Sequence, residues 1–258
     1  MPILPDSTAV VTGAAGGIGR ALAARLVAEG VRVVVNDIDD VRLAETAAEI
    51  GAHPVAGDAA SVEGVQRLVD AATDHLGQID AWYGHAGIDR GIGLDCAEED
   101  WQASHEVNVM AHVRAARRLV PGWVERGAGR YVVTASAAGL LTMIGTPPDS
   151  VTKHAAVAFA EWLSVTYQHR GITVQAICPQ GVQTGMLERS GPMAGLLSRD
   201  GALTPDQVAD AAWKATEDDR FLVLPHPEVS DYYAARATHT DQWLGGMNKI
   251  WQHVEGQV

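Results

Sequence analysis

Ala9-Val10-Val11-Thr12-Gly13-Ala14-Ala15-Gly16-Gly17-Ile18-Gly19 joins a short apolar run directly to a glycine cluster. The next residues, with Leu22, Leu26 and Val27 apolar at helical spacing, read as a helix. Glycine belongs in such a strand-to-helix turn when backbone N–H groups must approach a ligand closely, because a side chain would stand in the way. Together with the helix N-terminus those N–H groups suit a pyrophosphate. A glycine cluster alone also fits any tight turn, so the rest of the chain decides.

The rest of the chain alternates. Apolar or β-branched runs recur at Val31 to Val35, Ala81 to Tyr83, Arg130 to Thr134, Ile172 to Ile177 and Phe221 to Leu224, with a weaker one at His53 to Ala56. Between them lie helical patterns such as Val65, Leu68 and Val69, or Val157, Ala160, Leu163 and Ser164. Parallel neighbours need helical crossovers, since a tight hairpin cannot join them. The pattern therefore predicts an α/β fold: a Rossmann-like, doubly wound, seven-stranded parallel sheet with helices on both faces, as one dinucleotide-binding domain over residues 1–258. Thr204-Pro205-Asp206-Gln207 signals a late helix by its capping residues. Residues from about 183 to 203 hold four glycines and Pro192 without a sustained period, which suggests a lid over the substrate. The segment from about 225 to 258, with Trp243, Trp251 and Leu244-Gly245-Gly246-Met247, reads as a helical extension docked on the core or on a neighbouring subunit.

Composition narrows the partners. With 19 basic and 32 acidic residues the formal charge is −13, which argues against nucleic acid or an anionic membrane. The Arg114, Arg117 and Arg118 cluster then reads as a solvated or subunit-facing helix side. Cys96 and Cys178 are too few for a disulfide framework and lack zinc spacing, so both read as packing residues and no metal site is expected. No basic segment leads a long apolar run at the N-terminus, and the chain reads as cytoplasmic.

Asp37 closes the second strand, where a carboxylate accepts hydrogen bonds from the adenosine ribose and repels a 2′-phosphate. This favours NAD(H), with NADP(H) disfavoured; the other reading of Asp37 is a helix cap near Val41, for which Asp39 and Asp40 are better placed. The glycine spacing, carried by Gly13, Gly17 and Gly19, resembles the Thr-Gly-x-x-x-Gly-x-Gly pattern of the short-chain dehydrogenase/reductase family, over roughly residues 5 to 225. By that resemblance Ile18, Ile38, Asp58 and Ala59 border the cofactor, and Ala86 and Gly87 pass along its ribose. Gly84-His85-Ala86-Gly87 departs from the family's Asn-Asn-Ala-Gly. Pro179, Gly181, Val182 and Thr184, in Cys178-Pro179-Gln180-Gly181-Val182-Gln183-Thr184, resemble the turn beside the nicotinamide, with Gln180 a minor departure.

The same resemblance assigns chemistry. Ser136 matches the serine that holds the substrate oxygen, Lys153 the lysine that binds the cofactor ribose, and Asn108 the asparagine behind a proton-relay water. Asp149, thirteen residues after Ser136 and four before Lys153, stands where the family has its proton-donating tyrosine. Met186 and His85 join Ser136 as substrate-side candidates. A nearby lysine should drive a carboxyl further below its reference pKa of about 4. A carboxylate is also shorter than tyrosine by roughly 3 Å, taking bonds of about 1.5 Å.

Three readings follow from that departure. In the first, the chain oxidises or reduces a small carbonyl or alcohol, with water, His85 or Tyr83 replacing the tyrosine. In the second it acts on C=N or C–N bonds, where a cationic electrophile suits a carboxylate neighbour. In the third it binds the dinucleotide without catalysis, and Asp149 merely pairs with Lys153. For His85 a structural hydrogen bond is favoured over an acid role. A small-molecule substrate and a homodimer or homotetramer complete the expectation.

Overall fold

A computed structural model describes residues 3–190, 194–198 and 200–255. Seven parallel strands form one sheet in the order β3-β2-β1-β4-β5-β6-β7. They are β1 (Thr8–Thr12), β2 (Arg32–Asn36), β3 (His53–Pro54), β4 (Ala81–Gly84), β5 (Gly129–Thr134), β6 (Ile172–Ile177) and β7 (Leu222–Val223). The two edge strands are only two residues long, shorter than their apolar runs suggest, because each has a single neighbour to pair with.

Successive side chains on a strand face opposite ways, and so the sheet supports two cores. Val10, Trp82, Tyr131, Val133 and Val174 meet α3 (Val62–Leu76), α5 (Ala111–Arg126) and α7 (Pro147–Tyr167) through Leu68, Leu119 and Leu163. Val11, Val33, Val35, Tyr83 and Ile177 meet α1 (Gly17–Ala28), α2 (Asp40–Ile50) and α10 (Pro205–Lys214) through Leu22, Leu43 and Val208. Each of those leucines is at most 6% exposed, a burial worth about 1.5–3 kcal/mol apiece. The strands read as continuous apolar runs because both faces are covered.

Caps set the helix limits. Asp39 accepts a hydrogen bond from the Arg42 backbone N–H and starts α2, while Gly51 at φ 76° ends it. Thr204 and Gln207 form the reciprocal capping box on α10 that their sequence signals. The short α4 (Glu98–His105) runs into a π-helical turn at Glu106–Met110 before α5. After β5 comes α6 (Ala138–Leu141), and after β6 the 183–203 connection carries α8 (Gly185–Arg189) and α9 (Ala194–Leu197). Pro192, which contributes to the lid expectation, lies outside the described residues. The C-terminal segment forms α11 (Glu228–Thr238) and α12 (Thr240–Val254). Val229 on α11 is fully buried in the core, and Arg236 donates to the Leu140 carbonyl at 2.5 Å. No described residue of α12 is buried. Among the described residues, no helix is long and apolar enough to cross a membrane.

Candidate active site

A cavity of about 1320 Å³ opens beyond the carboxyl ends of the strands, where the sheet order reverses between β1 and β4. The glycine turn forms its floor. A Cβ on Gly13 would lie 2.8 Å from the Ala86 Cα, and one on Gly19 only 2.1 Å from the Gly13 carbonyl oxygen. Those approaches are backbone against backbone, so only glycine fits. Thr12 stitches the turn to the end of β4, its Oγ1 accepting from the His85 and Ala86 backbone N–H groups at 3.0 Å each.

Of the candidate cofactor residues, Gly13, Ile18, Asp37, Ile38, Asp58, Ala59, Ala86, Gly87, Lys153, Pro179, Gly181, Val182 and Thr184 line this cavity. Gly17 and Gly19 do not; they shape the turn, Gly17 against the Thr184 methyl and Gly19 beneath the Gly13 carbonyl. Asp37 accepts from the Ala15 N–H at 3.0 Å and the Asp39 N–H at 3.2 Å, tying β2 to the turn, while Asp39 takes the capping role. The fold also swings Arg42 over the turn, its guanidinium 2.7 Å from where a Gly16 Cβ would stand. The cradle without Cβ atoms, the open N-terminus of α1 and a carboxylate at the end of β2 together fit a dinucleotide.

Ser136, Asp149 and Lys153 line the same cavity. Ser136 follows β5, where its Oγ accepts from the Ala138 N–H at 3.0 Å. Asp149 and Lys153 lie one turn apart on α7, which places them on one face. They form no ion pair among the described residues. Lys153 Nζ instead donates to the Thr134 carbonyl at 3.4 Å. Asn108 sits behind the wall, 1% exposed. Its Oδ1 accepts from the Ile88 N–H at 2.9 Å, and its Nδ2 donates to the Ile88 carbonyl at 2.9 Å and to Thr152 Oγ1 at 3.0 Å. Its amide braces the chain after β4 against α7.

The proton affinity of Asp149 reverses the expectation. Burial pushes its carboxyl up from 3.8 to about 6, Lys153 pulls it down by less, and the neighbouring Asp89 adds to the rise. Lysine proximity was read from the chain, but water exclusion outweighs it. Asp89, at the exposed rim, is itself raised by desolvation, against the pull of Lys153 and Arg189.

A stability prediction follows from the sign. Below pH about 4 the folded and unfolded chains both hold the Asp149 proton, and no charge has to be buried. As pH rises through 6 the folded chain must carry the charge, a penalty of about 3 kcal/mol for a shift from 3.8 to about 6. Asp149→Asn should therefore melt with wild type at pH 4 and above it at pH 8. Parallel urea titrations at the two pH values check this, and an equal difference at both would refute the raised carboxyl.

The alternative acids fare differently. Tyr83 is 2% exposed, packed in the core facing α1, and burial pushes its phenol up to about 12. His85 lines the cavity, but its ring lies against the glycine turn, 3.3 Å from where a Gly13 Cβ would stand. Burial and then Lys153 hold it down to about 4, so it is neutral at pH 7, and its Nδ1 has no partner among the described residues. The bond from His85 to the neighbouring strand is made by its backbone N–H, which donates to Thr12 Oγ1. Met186 lines the cavity from α8.

Sequence reading missed several wall residues. Asp89 and Arg189, both exposed, and Gln180, Asp200, Tyr232 and Trp243 also line the cavity. The aromatic content of the C-terminal segment was the one signal for the last two. Arg114, expected on a solvated or subunit-facing helix side, is half-buried and donates to the Ala60 carbonyl at 2.5 Å while pairing with Glu106 at 2.6 Å.

A family model described as short chain dehydrogenase matches residues 7–194. The chain is 34% identical over 265 residues to a 1-deoxy-11-beta-hydroxypentalenate dehydrogenase of Streptomyces avermitilis, covering 97% of this chain and 92% of that one. It is 30% identical over 243 residues to a 3beta-hydroxysteroid dehydrogenase 2 of Eggerthella lenta, covering 86% and 92%. A short chain dehydrogenase/reductase from Burkholderia phymatum, solved in complex with NAD, superposes with a TM-score of 0.85 at 28% identity, covering 94% of this chain and 96% of that one.

Proposed function

This chain belongs to the short-chain dehydrogenase family and is an oxidoreductase, and from that premise we propose that it interconverts a bulky apolar alcohol and its ketone with NAD(H), Asp149 exchanging the substrate proton. The observation that carries this reading is a cavity-lining carboxyl at the family's tyrosine position, free of an ion pair with Lys153 and raised to about 6. A group with that affinity gives or takes a proton near neutrality, as general acid–base catalysis requires. The non-catalytic reading asks for an Asp149–Lys153 ion pair, and none is made among the described residues.

NAD(H), when bound, supplies or accepts the hydride. The chain's own residues do the rest. Ser136 donates a hydrogen bond to the substrate oxygen, Lys153 offers a fixed positive charge beside the reacting groups, and Asn108 holds the Gly87–Ile88 backbone and α7 in register. Apolar side chains, among them Ile88, Leu141, Leu196 and Met247, exclude water and suit an alicyclic substrate, the kind named for the pentalenate and hydroxysteroid relatives. The exposed Trp162 and Val165 on α7 support assembly of two or four copies, which sedimentation would report as a mass above the 27.3 kDa chain.

Asp37 supports NAD(H) over NADP(H), because its carboxylate repels a 2′-phosphate more directly than Arg42, held over Gly16, attracts it. Fluorescence titration should give at least tenfold tighter binding of NADH than NADPH, and Asp37→Ala should narrow the gap. A preference for NADPH in the wild type would reverse the assignment and pass the role to Arg42.

A further inference from the structure

We propose that Thr142 is a substrate-specificity residue, held at the cavity by a strained backbone, whose hydroxyl binds an oxygen of the substrate close to the reacting carbon. The inference rests on the alcohol–ketone reading above and adds the substrate's second functional group. Thr142 follows α6 with φ 68° and ψ 117°. Positive φ is rare outside glycine, and Asn or Asp tolerate it mainly in the left-handed pocket at ψ of about 30–60°. Thr142 lies outside that pocket and carries a branched Cβ. Among the described residues it is the one β-branched side chain at positive φ; the other two non-glycine cases are Asp6 and Asp219.

Such a conformation persists only where its surroundings impose it. Here α7 and α11 do so. A Cβ on Gly139 would lie 2.6 Å from the Lys153 carbonyl oxygen, so α6 presses on the backbone of α7. One residue past Thr142, Ser150 Oγ accepts from the Met143 N–H and donates to the Met143 carbonyl, at 2.7 Å each. Before it, Arg236 on α11 donates to the Leu140 carbonyl, and after it the Gly145 carbonyl accepts from the Gly93 N–H at 2.9 Å. Thr142 thus stands between two attachments to α7, at Lys153 and at Ser150, beside the turn that carries Asp149. That is the catalytic end of the cavity, which Thr142 lines.

Structure alone does not account for threonine at this position. The Thr142 N–H closes α6 on the Ala138 carbonyl at 3.2 Å, a bond that glycine would make equally well without the strain. The residue is exposed, so packing does not offset the strain either. What threonine adds over glycine is a compact hydroxyl, both donor and acceptor, on a stretch of wall that Leu141 and Met143 otherwise make apolar. Such a group suits a neutral oxygen on the substrate.

The test uses the purified full chain, NADH and matched polycyclic ketones: a parent, and members with a hydroxyl on the first or second ring carbon from the carbonyl. Wild type should prefer one hydroxylated member over the parent by ~10-fold or more in kcat/KM, chiefly through KM, since a bond made equally in ground and transition states acts on binding. Thr142→Val, which keeps the branched shape and loses the hydroxyl, should bring that ratio to within about twofold of one. Thr142→Gly should lose the preference too and melt ~2–4 °C above wild type, because the strain goes with the side chain. Equal kcat/KM for all members in wild type, or an unchanged ratio in Thr142→Val, overturns the hydroxyl contact. A Thr142→Gly melt at or below that of wild type overturns the strain. If no ketone turns over although NADH binds, the alcohol–ketone reading fails by itself. Calorimetric binding of the same ketones to the NADH complex then decides Thr142: tighter binding of a hydroxylated member in wild type but not in Thr142→Val sustains the contact, and equal binding refutes it.

Discussion

Asp149→Asn should lower ketone reduction at pH 6 by ~10²- to 10⁴-fold while NADH affinity stays within about threefold, because the substitution keeps the shape of the side chain and removes its transferable proton. The wild-type profile carries the same signature. Reduction needs the protonated carboxyl, so its kcat should be flat below pH 6 and fall about tenfold per pH unit above it. Oxidation needs the ionised form and should rise through the same region to a plateau. The C=N alternative has the opposite sign, since a cationic imine is helped by the carboxylate and its reduction should rise through pH 6. A ketone profile without a step near 6, together with full activity in the Asn variant, would leave Asp149 outside the chemistry. Asp149→Tyr adds a constructive arm: with Ser136 and Lys153 on the cavity wall, it should lift ketone reduction at pH 8, where the native carboxyl has lost its proton.

Gly19→Ala should be the most damaging change to cofactor binding, with NADH affinity falling ~10- to 100-fold. Its new Cβ would stand 2.1 Å from the Gly13 carbonyl oxygen and 2.7 Å from His85 Cδ2, so backbone must move. Forcing an extra carbon into a packed site costs about 1–3 kcal/mol, and each 1.4 kcal/mol is tenfold in affinity. Gly16→Ala, three residues earlier in the same turn, is the contrast. Its backbone is extended at φ 178°, and its Cβ would meet only the far end of the Arg42 side chain at 2.7 Å, which can swing aside. NADH titration of the two variants checks the difference, and equal losses would mean that the turn does not hold the dinucleotide through close backbone approach.

Much of the architecture was legible along the chain because it rests on local signals. The β-branched runs, the helical spacing of Leu22 and Leu26, and the Thr204–Gln207 capping box each act over a few residues. The element order followed from their alternation, which forces parallel pairing. The strand limits were less legible at β3 and β7, where pairing with a single neighbour sets the length.

The site divides along the same line. The spacing of Gly13, Ser136, Asp149 and Lys153 along the chain is a property of sequence, and the fold brings all four to one cavity. The proton affinity of Asp149 is not such a property. Lys153 is a helical neighbour visible four residues away, yet the larger influence is the exclusion of water by elements that pack over α7, with Asp89 contributed from the chain after β4. The positions of Asn108, His85 and Tyr83 were likewise decided by packing: one braces two segments, one lies on the glycine turn, and one is sealed in the core. Asp200 and Tyr232 meet across 32 residues, a contact that no local spacing encodes. The chain alone determined which elements form and in what order, because propensity, capping and periodicity are short-ranged. Burial and long-range contact, which exist only once the sheet is covered, decided which side chains are charged, which are reachable and which share a wall.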